Sequence, residues 1–159
     1  TPYRIHKANA FSMAPMIDVG ILFIGIFITM IPALVLLKVH GTELGIDQPW
    51  HMFWVCGLLS SCLDNTPTYL VFLQTAASLG ATEGIATTVG TVTPLMLEAI
   101  SAGAVFMGAN TYIGNAPNFM IKAIAEEDGI KMPGFYVYIG WAILILYPVF
   151  IIDTLLFYM

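Results

Sequence analysis

An acid, an amide, two hydroxyls and a proline lie together inside a long apolar stretch of the chain. The run Asp64-Asn65-Thr66-Pro67-Thr68 divides residues 50–79, which are otherwise mostly hydrophobic. A continuous helix would place a carboxylate in hydrocarbon, at a cost of about 2.5–3.5 kcal/mol, and a proline in its interior, at about 3 kcal/mol. Two short helices meeting at a non-helical tip cost less, with Pro67 at the first helical position of the second. Side-chain oxygens at such a tip are hard donors that suit cations.

A second polar patch, Gly108–Asn118, contains two glycines, three asparagines and a proline. Like the first, it holds an Asn-x-Pro sequence followed by a short apolar helix. Asn65 or Thr66 in the first patch, and Asn115 or Ala116 in the second, would cap a half-helix whose free N–H groups face the membrane interior. Irregular backbone at membrane depth is tolerated only where protein or water satisfies its polar groups. The alternative is that both patches are ordinary turns between interfacial helices.

Discontinuous helices that meet near the midplane are expected of secondary transporters. The predicted ion- or substrate-binding residues all bring polar side chains to the two patches: Asp64, Asn65, Thr66, Thr68, Asn110, Thr111, Asn115 and Asn118. The residues predicted to break the helices are Pro67, Gly108, Gly114 and Pro117. Sodium is predicted to bind Asp64, Asn65 and Asn110. No cofactor is expected, because sodium and the proton are the transported or coupling ions.

The composition is that of a membrane protein, with 58% hydrophobic and 9% charged residues, against about 25% charged in soluble domains. We predict an all-α, polytopic membrane domain over residues 1–159. It comprises a transmembrane helix at 16–38, a re-entrant hairpin at 50–79, a broken transmembrane helix at 95–127 and a transmembrane helix at 135–157. The chain begins at Thr1 and shows no secretory signal, so we expect a fragment of a longer protein.

Five basic residues discriminate between two topologies. If 50–79 is re-entrant, Arg4, Lys7, Lys122 and Lys131 lie on one side of the membrane and Lys38 lies opposite. If that stretch crosses, the division becomes two against three. Because basic residues concentrate on the cytoplasmic side, the first arrangement is favoured. It predicts a cytoplasmic N-terminus and a hairpin that enters from outside.

The segments Ser61–Thr68 and Gly108–Asn118, followed by Ala123–Glu127, resemble the C-terminal half of the ion transporter superfamily. That superfamily includes arsenite pumps, sodium/proton antiporters and citrate or dicarboxylate carriers. The nearest resemblance is to the bacterial sodium:proton antiporter or citrate transporter family. It implies two inverted repeats, each with a re-entrant hairpin and an unwound helix, here Asn110–Asn115. This chain would be one repeat, partnered by the missing N-terminal half of the same chain in the bacterial inner membrane. A homodimer is left open.

The leading hypothesis is sodium/proton antiport by alternating access, in which Asp64 alternates between protonated and sodium-bound states. Dicarboxylate carriers have a Ser-Asn-Thr tip, and an acid at the serine position disfavours an anionic substrate. The alternative is a cation-coupled carrier of citrate or another organic anion, bound at the helix N-termini near Pro67 and Pro117. Glu98 is a further candidate, although an interfacial charge is the favoured interpretation.

Other classes of protein fit the sequence less well. A non-transporting membrane subunit would not need two polar interruptions. An enzyme is not expected, because the chain shows no nucleophile–base pair and no His-rich metal cluster. Nothing resembles a basic nucleic-acid patch. The expected partners are therefore the lipid bilayer and a small ion or organic anion.

Overall fold

The computed structural model describes residues 39–127 and 129–159, together with positions 17, 20, 21, 24, 25, 28, 29, 31, 32, 35 and 36. The separate positions, and residues 39 and 40, are helical. Most of the predicted span 16–38, and the N-terminus that precedes it, lie outside the described residues. A 3₁₀ turn, Gly41–Leu44, leads to Gly45, whose φ of 66° is a left-handed conformation that glycine adopts without steric cost.

Two helices follow, joined by a four-residue connection. Helix α1 is Pro49–Ser60 and begins with a proline, whose missing N–H is not needed in the first turn. Helix α2 is Asn65–Ser78. The helical interruption expected near Asp64 is thus present at residues 61–64. The insertion of this pair into a membrane as a re-entrant hairpin stays a prediction.

A small antiparallel hairpin follows α2. Strand β1, Ile85–Thr87, pairs with β2, Gly90–Val92, so that Ile85 lies opposite Val92. The prediction of an all-α chain did not include these two strands. Three-residue strands are too short to show the alternation of side chains that identifies a strand in sequence. The chain is therefore mostly helical rather than wholly so.

The C-terminal part contains a second helical interruption and one long helix. Helix α3, Pro94–Met107, continues into a 3₁₀ turn, Gly108–Asn110, and helix α4 is Ala116–Glu127. Helix α5, Phe135–Asp153, contains Pro148 and ends in a π-helical turn, Thr154–Tyr158.

One helical stretch among the described residues, Phe135–Tyr158, is long and apolar enough to cross a membrane. Only 11% of its most apolar part is buried within the protein. Its exposed side chains include Leu144 and Leu156, which are 67% and 71% exposed. A helix that is apolar on all sides and has few protein neighbours is suited to a lipid environment.

The core lies between α1 and α3, and α2 and the end of α5 complete it. A Cβ atom at Gly103 of α3 would lie closer than contact distance to the carbonyl oxygen of Phe53 of α1. Small residues of this kind allow two helix backbones to approach closely. Trp54 Nε1 donates to Thr154 Oγ1 at 3.0 Å and ties α1 to the π-helical turn. The most deeply buried apolar side chains are Met52, Phe53, Cys56, Ala99, Ile100, Ala104 and Met107.

Candidate ion and substrate site

The last residue of α1, the connection and the first two residues of α2, together residues 60–66, form the first part of the site, and we call this segment the tip. Asp64 is the N-cap of α2, and its Oδ1 accepts a hydrogen bond from the Thr66 N–H at 3.3 Å. The prediction that Asn65 or Thr66 is the cap is therefore wrong. Pro67 is the third residue of α2 and not the first. The Asp64 carboxylate, which is half-buried, thus stabilises the N-terminus of its own helix.

The segment between α3 and α4, residues 108–115, forms the second part, and we call it the break. Thr111 lies in extended conformation at the end of the 3₁₀ turn. Its hydroxyl oxygen accepts hydrogen bonds from Ile113 N at 3.2 Å and Gly114 N at 2.9 Å. The amide of Asn118 reaches back from α4 and donates to Gly108 O at 3.0 Å and to Thr111 O at 3.1 Å. Side chains therefore satisfy backbone groups that the interrupted helix leaves without partners.

Ser61 joins the tip to the break. Asn110 Nδ2 donates to Ser61 Oγ at 2.9 Å, and Thr111 Oγ1 donates to the Ser61 carbonyl oxygen at 2.5 Å. Ser61 Oγ in turn donates to Met107 O at 2.9 Å. These bonds are buried, since Ser61 is 7% and Asn110 is 3% exposed. Two polar interruptions that lie far apart in sequence are thus in direct contact.

Asn65 makes a second connection between the same elements. Its amide nitrogen faces Ala104 O at 2.9 Å and Gly114 O at 3.2 Å, because an oxygen in that position would meet only acceptors. The same nitrogen lies 2.8 Å from Ser60 Oγ, and Ser60 Oγ donates to Ala104 O at 2.6 Å. A Cβ atom at Gly108 would overlap the Asn65 amide. A glycine is therefore required where the break passes the tip.

Backbone carbonyl oxygens converge where the break meets the end of α1. A Cβ atom on Gly114 would lie 2.7 Å from the carbonyl oxygen of Gly108. The carbonyl oxygens of Ser60 and Ser61 would be 2.9 Å and 3.0 Å from the same point. Each carbonyl has two lone pairs, and the hydrogen bonds described above use only some of them. This surface of partial negative charge is suited to a cation.

One acceptor at the site has no partner. The Oδ1 atom of Asn110 is buried and forms no hydrogen bond within the described part of the chain. Buried polar atoms nearly always have a partner, so an unpaired oxygen on the amide that donates to Ser61 Oγ requires an explanation. A sodium ion would supply one, because it takes oxygen ligands of these types. Among the described residues, no three His, Cys, Asp or Glu side chains gather as they would around a transition metal.

The predicted site residues divide into two groups. Asn65, Asn110 and Thr111 form hydrogen bonds across the contact between tip and break. Asn118, which is half-buried, joins this network inside the break through its bond to Thr111 O. The remaining four, Asp64, Thr66, Thr68 and Asn115, form no side-chain hydrogen bond across that contact within the described chain. Thr68, only 1% exposed, donates to Asp64 O inside its own helix turn. Asp64 and Thr66 are at the margin of the network, and Thr66 is exposed.

A cavity of about 280 Å³ lies beside the tip, between α2 and α3. Asn65, Thr66 and Tyr69 line it from α2, and Ser101, Ala104 and Val105 line it from α3. The Asn65 side chain therefore contacts the hydrogen-bond network on one side and faces the cavity on the other. A small ion or substrate in this cavity would reach the tip without crossing the core.

Ser60 and Ser61 are functional candidates that were not among the predicted site residues. Ser60 is completely buried, and its hydroxyl contacts both α3 and the tip. Serines in the last turn of a helix usually bond to their own helix, whereas the one hydroxyl proton of Ser61 has two acceptors within reach, Gly57 O at 3.0 Å and Met107 O at 2.9 Å. The available signal was the occurrence of two successive serines in an apolar helix. The converging carbonyl oxygens gave no signal, because backbone atoms are common to all residues.

Two interrupted helices whose polar ends meet are the construction of a membrane transporter. A family model described as "Putative citrate transport" matches residues 1–158 of the chain. The chain therefore belongs to this family of transport proteins and is a membrane protein. No curated protein and no solved structure matches it.

Proposed function

We propose that this chain is one half of a cation-coupled secondary transporter that exchanges sodium for protons. The observation that carries the proposal is the contact between tip and break, which contains both the unpaired Asn110 Oδ1 and a set of converging carbonyl oxygens. Carbonyl and amide oxygens, which carry partial negative charge, are ligands that hard cations prefer. The Asp64 carboxylate, at the margin of this contact, is the group that would exchange sodium for a proton.

Asp64 links ion binding to the conformation of the tip. When it is ionised, its carboxylate stabilises the α2 N-terminus through the Thr66 N–H and the helix dipole. Protonation would remove the charge and weaken that interaction by about 0.3–1 kcal/mol. A bound sodium ion would instead keep the carboxylate ionised. Sodium binding therefore favours a strong cap at the N-terminus of α2, and protonation favours a weak one. Two ligands can shift a protein between conformations only if they interact differently with them.

A carrier of citrate or another organic anion is the second candidate, and the family description favours it. The substrate carboxylates would bind the N-termini of α2 and α4, which both begin at the site. However, the Thr66 N–H at the start of α2 already donates to the Asp64 carboxylate. A second anion there would meet like charge at close range, which is unfavourable without a compensating cation. For this reason we place antiport first.

Transport by the complete protein in proteoliposomes tests the proposal. Asparagine is as good an N-cap as aspartate, so Asp64→Asn removes the charge while it preserves the start of α2. We expect this variant to lose sodium-dependent proton efflux, measured with a pH-sensitive dye, while its thermal midpoint stays near that of the unmodified protein. Glu83→Gln, in the exposed loop before β1, is the control and should exchange normally.

Two outcomes would contradict antiport at this site. Sodium-dependent proton efflux that persists in Asp64→Asn would show that the carboxylate is not the exchanging group. Uptake of labelled citrate that needs sodium, without any exchange of sodium for protons, would favour the second candidate.

Asp64→Ala, which loses the cap as well as the charge, should lower the free energy of unfolding by about 0.5–2 kcal/mol.

A further inference from the structure

A second polar cavity lies away from the contact between tip and break. Its volume is about 430 Å³, and it lies between α3 and the C-terminal end of the chain. Glu98 and Ser101 line it from α3, and Asp153 and Tyr158 line it from the end of α5 and the π-helical turn. Its other lining side chains are apolar. We call this cavity the acidic vestibule.

Two oxygens at the acidic vestibule lack hydrogen-bond partners. The Oδ2 atom of Asp153 is buried and forms no hydrogen bond within the described part of the chain. Tyr158 is only 6% exposed, and its hydroxyl likewise has no hydrogen-bond partner among the described residues. The carboxylates of Asp153 and Glu98 line the same cavity as that hydroxyl group's side chain. The chain thus brings three oxygen-bearing side chains together without pairing them with one another.

Among the residues that the structure describes, no lysine or arginine lines the acidic vestibule. Two carboxylates in a concave, mostly apolar cavity create a negative potential that concentrates cations. Carboxylate and hydroxyl oxygens are also the ligands that hard cations prefer. An anion, in contrast, would find no positive group there.

The acidic vestibule adjoins the cavity beside the tip. Ser101 and Val105 line both cavities. Ser101 Oγ donates its hydrogen to Leu97 O at 2.7 Å, so the oxygen's lone pairs stay available between the two spaces. A cation held near Asp153 would therefore have a path along Ser101 and Val105 to Asn65 and Thr66.

We propose that the acidic vestibule is a second cation-binding site, which loads sodium for the tip. Glu98 and Asp153 supply the charge, Tyr158 supplies a hydroxyl ligand, and Ser101 marks the passage toward Asn65. In the topology predicted from the basic residues, the start of α3 and the end of α5 both lie on the outer side of the membrane. The acidic vestibule would therefore face external sodium. The choice of sodium rests on the proposed function, whereas the existence of the site rests on the cavity.

Sodium kinetics of the complete protein in proteoliposomes give the first test. A loading site raises the effective sodium concentration at the tip, and charged clefts of this kind accelerate capture by roughly 10- to 1,000-fold. We expect Glu98→Gln and Asp153→Asn each to raise the KM for external sodium by about three- to tenfold, near the lower end of that range. The kcat at saturating sodium should be unchanged, since the tip is intact. Glu83→Gln should alter neither parameter.

Equilibrium binding of ²²Na⁺ to the purified complete protein separates the two proposals. Asp64→Asn should retain a fraction of the binding, and the added Asp153→Asn or Glu98→Gln should abolish that fraction. If the unmodified protein exchanges no sodium for protons, the antiport proposal fails. A loss of ²²Na⁺ binding in Glu98→Gln would still support the acidic vestibule in that case.

Two results would overturn the inference. The first is an unchanged KM and unchanged ²²Na⁺ binding in both variants, which would make Glu98 and Asp153 ordinary interfacial charges. The second is a loss of kcat with an unchanged KM, which would assign them to the transport step or to folding. Because Glu98 is exposed, Glu98→Gln is expected to fold even if Asp153→Asn does not, and it then decides the question alone.

Discussion

Replacing Gly114 by alanine is expected to push the tip and the break apart. The added Cβ would lie 2.7 Å from the carbonyl oxygen of Gly108, and 2.9 Å and 3.0 Å from those of Ser60 and Ser61. These are backbone atoms held at the ends of two helices, so they cannot move aside as a flexible side chain would. Overpacking of a closely packed site costs about 1–3 kcal/mol.

The size of this effect can be measured as a change in thermal stability. For a chain of this length, 1 kcal/mol corresponds to about 2–4 °C in Tm. Gly114→Ala should therefore lower the Tm of the purified protein by about 2–12 °C, as followed by tryptophan fluorescence. It should also lower sodium affinity, since the methyl group would occupy the space in front of the carbonyls.

A second glycine provides a matched control for the same chemical change. A Cβ on Gly140 of α5 would have no atom within 4 Å. Alanine is the better helix former by about 1 kcal/mol, so Gly140→Ala should leave the Tm unchanged or raise it slightly. If Gly114→Ala is as stable and as active as Gly140→Ala, the described contact between tip and break is wrong.

Three further substitutions test the packing around the site. Gly103→Ala should lower the Tm by an amount similar to Gly114→Ala, because its Cβ would overlap the Phe53 carbonyl oxygen; a wild-type Tm would show that α1 and α3 are further apart than described. Trp54→Phe removes one hydrogen bond to Thr154 and should cost about 0.5–1.5 kcal/mol; because the Thr154 hydroxyl also donates to Phe150 O, the bond is isolated by a double-mutant cycle with Thr154→Val, in which zero coupling would show that it contributes nothing. Asn118→Ala leaves two carbonyls of the break unpaired and should cost about 1–3 kcal/mol, measured by chemical denaturation; an unchanged midpoint would show that water replaces the amide.

Local sequence signals were sufficient to locate both helical interruptions. Proline, glycine and asparagine within apolar stretches mark places where a helix cannot continue without cost. The capping residue was less predictable, because Asp64, Asn65 and Thr66 are all side chains that cap helices. Only the backbone conformation distinguishes them, and it selects Asp64. A boundary of this kind is decided by tertiary structure.

The partners across the site were beyond the reach of a single sequence. That Ser61 bonds to Asn110 and Thr111 depends on how α1 packs against α3. The close approach at Gly103 sets that packing, and nothing in the sequence distinguishes Gly103 from a glycine in open space such as Gly140. The β-hairpin was not predicted for a related reason. Its two strands are stabilised by pairing with each other, and each strand alone gives only a weak signal in the sequence.

The hydrogen bonds of Ser61 and Asn65 have a consequence for movement within the protein. They fasten the end of α1 and the start of α2 to the end of α3 and to the break by directional hydrogen bonds. Asn118 fastens the start of α4 to the break in the same way. A hinge is therefore not expected at the contact between tip and break. We expect these four helix ends to move as one rigid body when the site opens to the other side of the membrane. The surfaces free to slide are the apolar ones, above all the exposed sides of α5, where one hydrocarbon contact can replace another at little cost.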